Sequence, residues 1–172
     1  MTTIEAPDAA DSDTSDRGPT PRLVRKRDFP ALEVLDKEVF GELAYSMHLL
    51  RTFYNLFRKS WYVVDREGEL AGYALVGPGF GTGESWLLGL AVSGRHQGHN
   101  LGNLLMDQAV KVMIDSGLPH GYITVRPENE AAKHLYRKFG FSQVGAEEPN
   151  YYGNGESREV LHRDFTLPSH RR

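Results

Sequence analysis

The 172 residues are 40% hydrophobic and 25% charged, the proportions of one globular domain with a sizeable core. Cysteine is absent, which excludes a disulfide framework, a thiolate metal site and a cysteine nucleophile, and a net charge of -3 gives no basic signature for nucleic acid. No apolar run approaches the roughly 20 residues of a membrane span, and the N-terminus lacks the basic-then-apolar order of a signal peptide, so the expectation is a cytoplasmic protein without a membrane partner.

Residues 1–20 hold Glu5, Asp8, Asp11, Asp13 and Asp16 against Arg17, which leaves this stretch at -4 and the remainder at +1. Rich in Asp, Ser, Thr and Pro, it buries too little apolar surface to offset the entropy of ordering, and a disordered acidic tail is expected. The folded domain is expected over residues 21–166, with a short C-terminal tail at 167–172. It opens with a short strand at LVRK (23–26) and a helix over FPALEVLDKEVF (29–40). A second helix is predicted over ELAYSMHLLRTFYNLF (42–57). There Leu43, Met47, Leu50, Tyr54 and Phe57 recur at helical spacing, and Tyr45, Leu49 and Phe53 widen the stripe. WYVVDREGELAGYALVG (61–77) reads as two β-rich runs joined at Arg66-Glu67-Gly68, a hairpin signal. After a glycine loop come the strand SWLLGLAV (85–92), a helix to about Ser116, the strand YITV (122–125), a helix from about Asn129 to Phe139, and strands near FSQVG (141–145) and REVLHRDF (158–165). Strands that precede and then alternate with helices predict an α/β fold with a mixed sheet.

Two glycine-rich stretches compete as ligand loops. GPGFGTG (77–83) is followed by Glu84-Ser85 and a strand, so it supplies no helix dipole and reads as a turn. GRHQGHNLGNLL (94–105) lies between strand LLGLAV and a helix with an apolar stripe at Leu101, Leu104, Leu105, Ala109, Val112 and Met113. The first turn of that helix offers unpaired N–H groups and a positive dipole end, which suit a phosphate or diphosphate. Neither the dinucleotide pattern G-x-G-x-x-G nor a P-loop ending in Gly-Lys-Ser/Thr is present.

The spacing is instead Gln97-x-x-Asn100-x-Gly102. It resembles the acetyl-CoA loop of the GNAT superfamily of N-acetyltransferases, which reads Arg or Gln, two residues, Gly, one residue, then Gly or Ala. Asn100 replaces the usual glycine, and Asn is the other residue that best tolerates positive φ. VRPENEAAKHLYRKFGF (125–141) resembles the family's second signature, N-x-x-A-x-x-L-Y-x-x-x-G-F, at every position. The resemblance runs from about Arg22 to Phe165. It implies a single GNAT-type α/β domain: a mixed, mostly antiparallel twisted sheet of six or seven strands, splayed between the fourth and fifth, with about four helices.

By the same resemblance the co-substrate is acetyl-CoA, with no metal. Leu90, Ala91 and Val92 would line the pantetheine through backbone atoms, and Gln97, Gly98, His99, Asn100, Leu101, Gly102 and Asn103 would wrap the diphosphate. Asn129 is a natural helix N-cap and also the position of the family's pantetheine contact. Tyr136 stands where the family places the general acid that protonates the departing thiolate. Some members carry Glu or His at the position of Thr124, and threonine cannot act as a base near neutral pH. Glu84, two positions from Trp86 on the same strand face, is then the carboxylate candidate for general base, with a solvated loop end as the alternative.

The implied reaction is direct acetyl transfer in a ternary complex to a primary amine of a small molecule or a peptide N-terminus. Tyr151 and Tyr152 in EEPNYYGNGESRE (147–159) resemble the loop of ribosomal-protein and other peptide N-terminal acetyltransferases, whereas Glu147, Glu148 and Glu156 would also favour a polyamine or amino-sugar cation. A peptide or protein N-α-acetyltransferase and a non-catalytic acyl-CoA sensor stand as the alternatives, with a homodimer among the assemblies open to the chain. His48, His96, His120, His134 and His162 show no metal-ligand spacing, and there is no G-x-S-x-G elbow.

Overall fold

The computed structural model describes residues 18–79 and 81–166; residues 1–17 of the acidic tail expected at 1–20, and the C-terminal tail expected at 167–172, lie outside the described residues. Seven strands form one sheet in the order β1-β2-β3-β4-β5-β7-β6. They are β1 Arg22–Leu23, β2 Trp61–Arg66, β3 Glu69–Gly79, β4 Glu84–Val92, β5 His120–Val125, β6 Ser142–Gln143 and β7 Glu159–Asp164. The helices are α1 Phe29–Phe40, α2 Met47–Phe57, α3 Leu101–Asp115 and α4 Glu130–Lys138. Every strand pairing is antiparallel except β4 with β5, where α3 makes the crossover that parallel strands require. This is the expected α/β architecture. No helix among the described residues is long and apolar enough to cross a membrane.

The hairpin expected at Arg66-Glu67-Gly68 joins β2 to β3. Glu67 and Gly68 both take positive φ, 55° and 79°, the backbone of a two-residue turn that matches strand twist. Of GPGFGTG, residues 77–79 are the paired end of β3 and residues 81–83 turn into β4, with Gly79 paired to Glu84. Helix α1 occupies the predicted residues, but α2 begins at Met47 rather than residue 42. Ser46 caps α2 by accepting from the Leu49 amide at 3.4 Å, and the Tyr45 amide donates to the Asp36 carboxylate at 2.5 Å. Residues 41–43 form a 3-10 turn instead.

Two cores lie on opposite faces of the sheet. Helix α3 packs Leu105, Met106, Ala109 and Met113 against Ala74, Val76, Leu87 and Ile123, with Tyr136 and Phe141 closing that layer. On the other face α1 and α2 bury Leu32, Leu35 and Leu50 against Trp61, Val63, Tyr73, Leu75 and Ala91. Gly72 lets α3 approach β3, because a Cβ there would meet the Ala91 carbonyl oxygen at 2.7 Å and a Leu105 methyl at 2.9 Å.

The sheet parts at its parallel junction. Leu75 pairs with Gly89 and Val76 with Leu87, so Leu88 is the extra residue of a bulge in β4. Pairing between β4 and β5 covers only Glu84–Leu87 against residues 120–123. A bulge bends its strand and re-aims its backbone, and beyond Leu87 the two strands share no ladder.

Candidate active site

The gap between the parted strands opens into a cleft of about 1040 Å³. Its walls come from the end of β4, the end of β5, the start of α3, one face of α4, the α1–α2 connection and the loop before β7. Leu90, Val92, Gln97, Gly98, Asn100, Leu101, Gly102, Asn103, Asn129 and Tyr136 all line it.

The α3 end of the cleft is built to present amides. Gly98 has φ 79° and Asn100 φ 63°, so the two residues reverse the chain between the 3-10 turn at Gly94–His96 and the helix. Asparagine at 100 supplies the left-handed conformation that glycine would otherwise provide. The first α3 amide with an intrahelical partner is that of Leu104, bonded to the Asn100 carbonyl at 3.1 Å. The amides of Leu101, Gly102 and Asn103 precede it in the first turn, where no helical acceptor exists and the dipole end is positive. No acidic side chain occupies that turn. Asn103 donates to the Asn100 side-chain oxygen at 2.7 Å, and the Lys138 ammonium donates to Asn103 at 2.7 Å. Lys138 thus adds a positive charge to the same end of the cleft. The preceding turn is tied to α1, since Ser93 and the Gly94 amide both donate to Glu38, at 3.2 and 2.7 Å.

Tyr136 projects from α4 and is 7% exposed. Burial alone pushes its phenol up to about 12, so it holds its proton throughout the neutral range. Asn129 caps α4 by accepting from the Ala132 amide at 3.0 Å. The capping role anticipated for it is therefore present, and the same side chain lines the cleft.

The opposite end brings together groups expected on the acceptor side. The Tyr45 hydroxyl donates to the Leu88 carbonyl at 2.7 Å, tying the α1–α2 connection to the β4 bulge; burial pushes that phenol up to about 12. Thr124 Oγ1 lies 3.0 Å from the Tyr152 hydroxyl. The Arg158 guanidinium sits 4.9 Å above the Tyr152 ring and donates to Glu156 at 2.7 Å, while Arg126 grips the same Glu156 at 2.9 and 3.0 Å. These cations hold the Glu156 carboxyl below its usual range.

Three expected site residues do not line the cleft. The Ala91 side chain is buried in the α1–α2 core. His99 faces the loop, its Nδ1 3.2 Å from the Gln97 carbonyl. Glu84 lies outside the lining as well. It starts β4 opposite His120 and accepts from the Trp86 indole at 3.3 Å. Six rises of strand, about 20 Å, separate it from Leu90. The shared face with Trp86 was legible, but its distance from the parting of the strands was not.

The lining carboxylate is instead Glu42, on the 3-10 turn that replaces the predicted start of α2. His96, Lys138, Arg126 and Arg158 were also missed. His96 is 7% exposed, lines the cleft, and its Nε2 has no partner among the described residues. No local spacing marks any of them, and Lys138 meets Asn103 across 35 residues.

The family model described as acetyltransferase (GNAT) family matches residues 28–141. Streptothricin acetyltransferase of Streptomyces lavendulae is 28% identical over 111 residues, covering 64% of this chain and 59% of the relative. The N-alpha-acetyltransferase daf-31 of Caenorhabditis elegans is 29% identical over 110 residues, covering 62% and 60%. The chain thus spans less than two thirds of the length of these curated relatives. Among solved structures, Ard1 from Thermoplasma volcanium superposes with a TM-score of 0.77 at 23% identity, over 85% of this chain and 97% of that one, a likeness of fold.

Proposed function

This chain belongs to the acetyltransferase (GNAT) family, and from that premise we propose that it moves an acetyl group from acetyl-CoA directly to a primary amine, with a peptide N-terminal α-amine as the favoured acceptor. The observation that carries the reading is the convergence of the α3 N-terminus, the unpaired end of β4 and Tyr136 on one cleft. In this reading the first-turn amides of α3 and Lys138 hold the diphosphate. The pantetheine arm lies along the unpaired edge of β4, adding to the sheet as an extended segment does.

The acceptor nitrogen forms its bond to the thioester carbon, and a backbone N–H near Leu90 stabilises the oxyanion. Collapse breaks the C–S bond, and the departing thiolate takes the Tyr136 proton. Glu42, rather than Glu84, receives the acceptor's proton, directly or through water. An α-amine with pKa near 7.7 costs about 1 kcal/mol to deprotonate at pH 7, against roughly 4 to 5 for an alkylamine near 10.4. Glu42, the carboxylate of the lining, is exposed, and weak base provision of this kind suits the α-amine. Tyr152, held against Thr124, borders the channel through which a peptide would enter.

Thiol release measured with acetyl-CoA against short peptides, polyamines and aminoglycosides tests this. Turnover highest with peptides bearing a free N-terminus supports it. Release confined to polyamines or aminoglycosides would reassign the acceptor, and CoA binding without release across the panel would make the protein an acyl-CoA sensor.

A further inference from the structure

One buried carboxylate lies outside every role assigned so far. Asp36, on α1, is 0% exposed, yet it pairs with no cation among the described residues. It accepts two hydrogen bonds, from the Tyr45 amide at 2.5 Å and from the Tyr73 hydroxyl of β3. Burial pushes its carboxyl up, and both donors oppose that shift. An unpaired buried carboxylate is costly to retain, and an apolar side chain would fill the same space without that cost.

The two donors explain what the carboxylate holds. Tyr73 fixes it to the centre of the sheet, and Tyr45 is the residue whose hydroxyl reaches the Leu88 carbonyl at 2.7 Å. The Tyr45 backbone is thus anchored at one end and its side chain engaged at the other, with the ring braced edge-on against Phe53 at 4.9 Å. Leu88 is the bulge residue at which β4 leaves β5. Because a peptide unit is planar, directing the Leu88 carbonyl toward Tyr45 fixes the Gly89 N–H in the opposite direction and constrains the amides that follow. Those are the amides along the unpaired edge where the thioester is placed above.

We infer that Asp36 is a positioning residue for acetyl transfer: through Tyr45 it sets the orientation of the Leu88–Gly89 peptide and hence of the β4 amides that face the thioester. The inference rests on the acetyltransferase reading of the cleft. It assigns the bulge a partner in α1, on the acceptor side, so that the wall contacting the amine and the strand contacting the thioester are registered by one buried group. Nothing in the assignment requires Asp36 to touch either substrate.

The test is a double-mutant cycle on the full chain with Tyr45→Phe, Asp36→Asn and the pair, reading kcat/KM for a peptide acceptor, Kd for CoA and the Gly89 amide resonance. Each single change is expected to lower kcat/KM about tenfold, the equivalent of one lost hydrogen bond of about 1.4 kcal/mol. The double variant should fall no further than about twofold below the weaker single, because both changes cut one connection. CoA affinity should stay within about twofold, since the diphosphate is held at α3, and the Gly89 resonance should move in both singles. Losses that multiply to about a hundredfold, or a Tyr45→Phe enzyme with wild-type kcat/KM and an unmoved Gly89 resonance, would overturn the inference. Tyr45→Phe keeps the buried anchor intact, so it decides the matter even where Asp36→Asn fails to fold. A wild-type protein that binds CoA but acetylates no amine defeats the underlying function; the Gly89 resonance then still reports whether Asp36 and Tyr45 act on the same peptide unit.

Discussion

The Thr124 hydroxyl of β5 and the Tyr152 hydroxyl of the loop before β7 stand 3.0 Å apart in the lining of the cleft. Thr124 anchors an aromatic side chain of that loop. Tyr152→Phe removes that bond while leaving the ring under Arg158. The KM for a peptide acceptor should rise about 2- to 10-fold, as loss of one neutral hydrogen bond implies, with Kd for CoA unchanged. Steady-state kinetics with a peptide series, alongside CoA titration calorimetry, checks both halves.

Tyr136→Phe should lower kcat about 10²-fold or more, the usual scale of a lost general acid, and leave CoA affinity nearly intact. The pH dependence follows from the buried phenol. Its value of about 12 lies above the ordinary 10, so the native state keeps the proton that the unfolded chain gives up. Its contribution to stability is therefore fully present below pH 10 and is lost as pH rises through about 12. Activity should show no descending limb from Tyr136 in the neutral range; a descending limb that persists unchanged in Tyr136→Phe belongs to another group, and a Tyr136→Phe enzyme with wild-type kcat would remove Tyr136 as proton donor.

Glu42 and Glu84 separate cleanly as candidates for the base. Glu42→Gln should reduce kcat/KM about 10²-fold at pH 7 and shift the acid limb of the pH profile toward the pKa of the acceptor amine. Glu84→Gln should cost no more than about twofold, because its carboxylate engages the Trp86 indole at the far end of β4. The reverse ranking would return the role to Glu84.

Gly72→Ala tests the packing that sets α3 on the sheet. The added methyl meets a backbone oxygen at 2.7 Å, which cannot swing aside as a flexible side chain would. Overpacking of this kind costs about 1–3 kcal/mol, and for a domain of this size each kcal/mol lowers Tm by about 2–4 °C. A thermal melt at or above the wild-type midpoint would show that α3 can shift without loss.

The elements were legible where local chemistry decides them. The helix period over 29–40, the Glu67-Gly68 turn and the left-handed tolerance of Asn100 each depend on residues adjacent in the chain. The start of α2 was not legible, because what ends the preceding segment is the Tyr45 amide bonded to Asp36, a contact nine residues apart. Nor was the base. The spacing of Glu84 and Trp86 shows a shared face but not the register at which β4 parts from β5, which is set by the Leu88 bulge against β3. Lys138 reaches Asn103 only because α4 crosses beside the start of α3, a separation of 35 residues that no local pattern records.

The most direct measurement is a crystal structure with CoA bound. The diphosphate is expected within hydrogen-bonding distance of the amides at residues 98–103, with Lys138 beside it, and the sulfur in the gap between Leu88 and Thr124, facing the Tyr136 hydroxyl. A diphosphate held elsewhere, or a sulfur directed away from Tyr136, would contradict this placement.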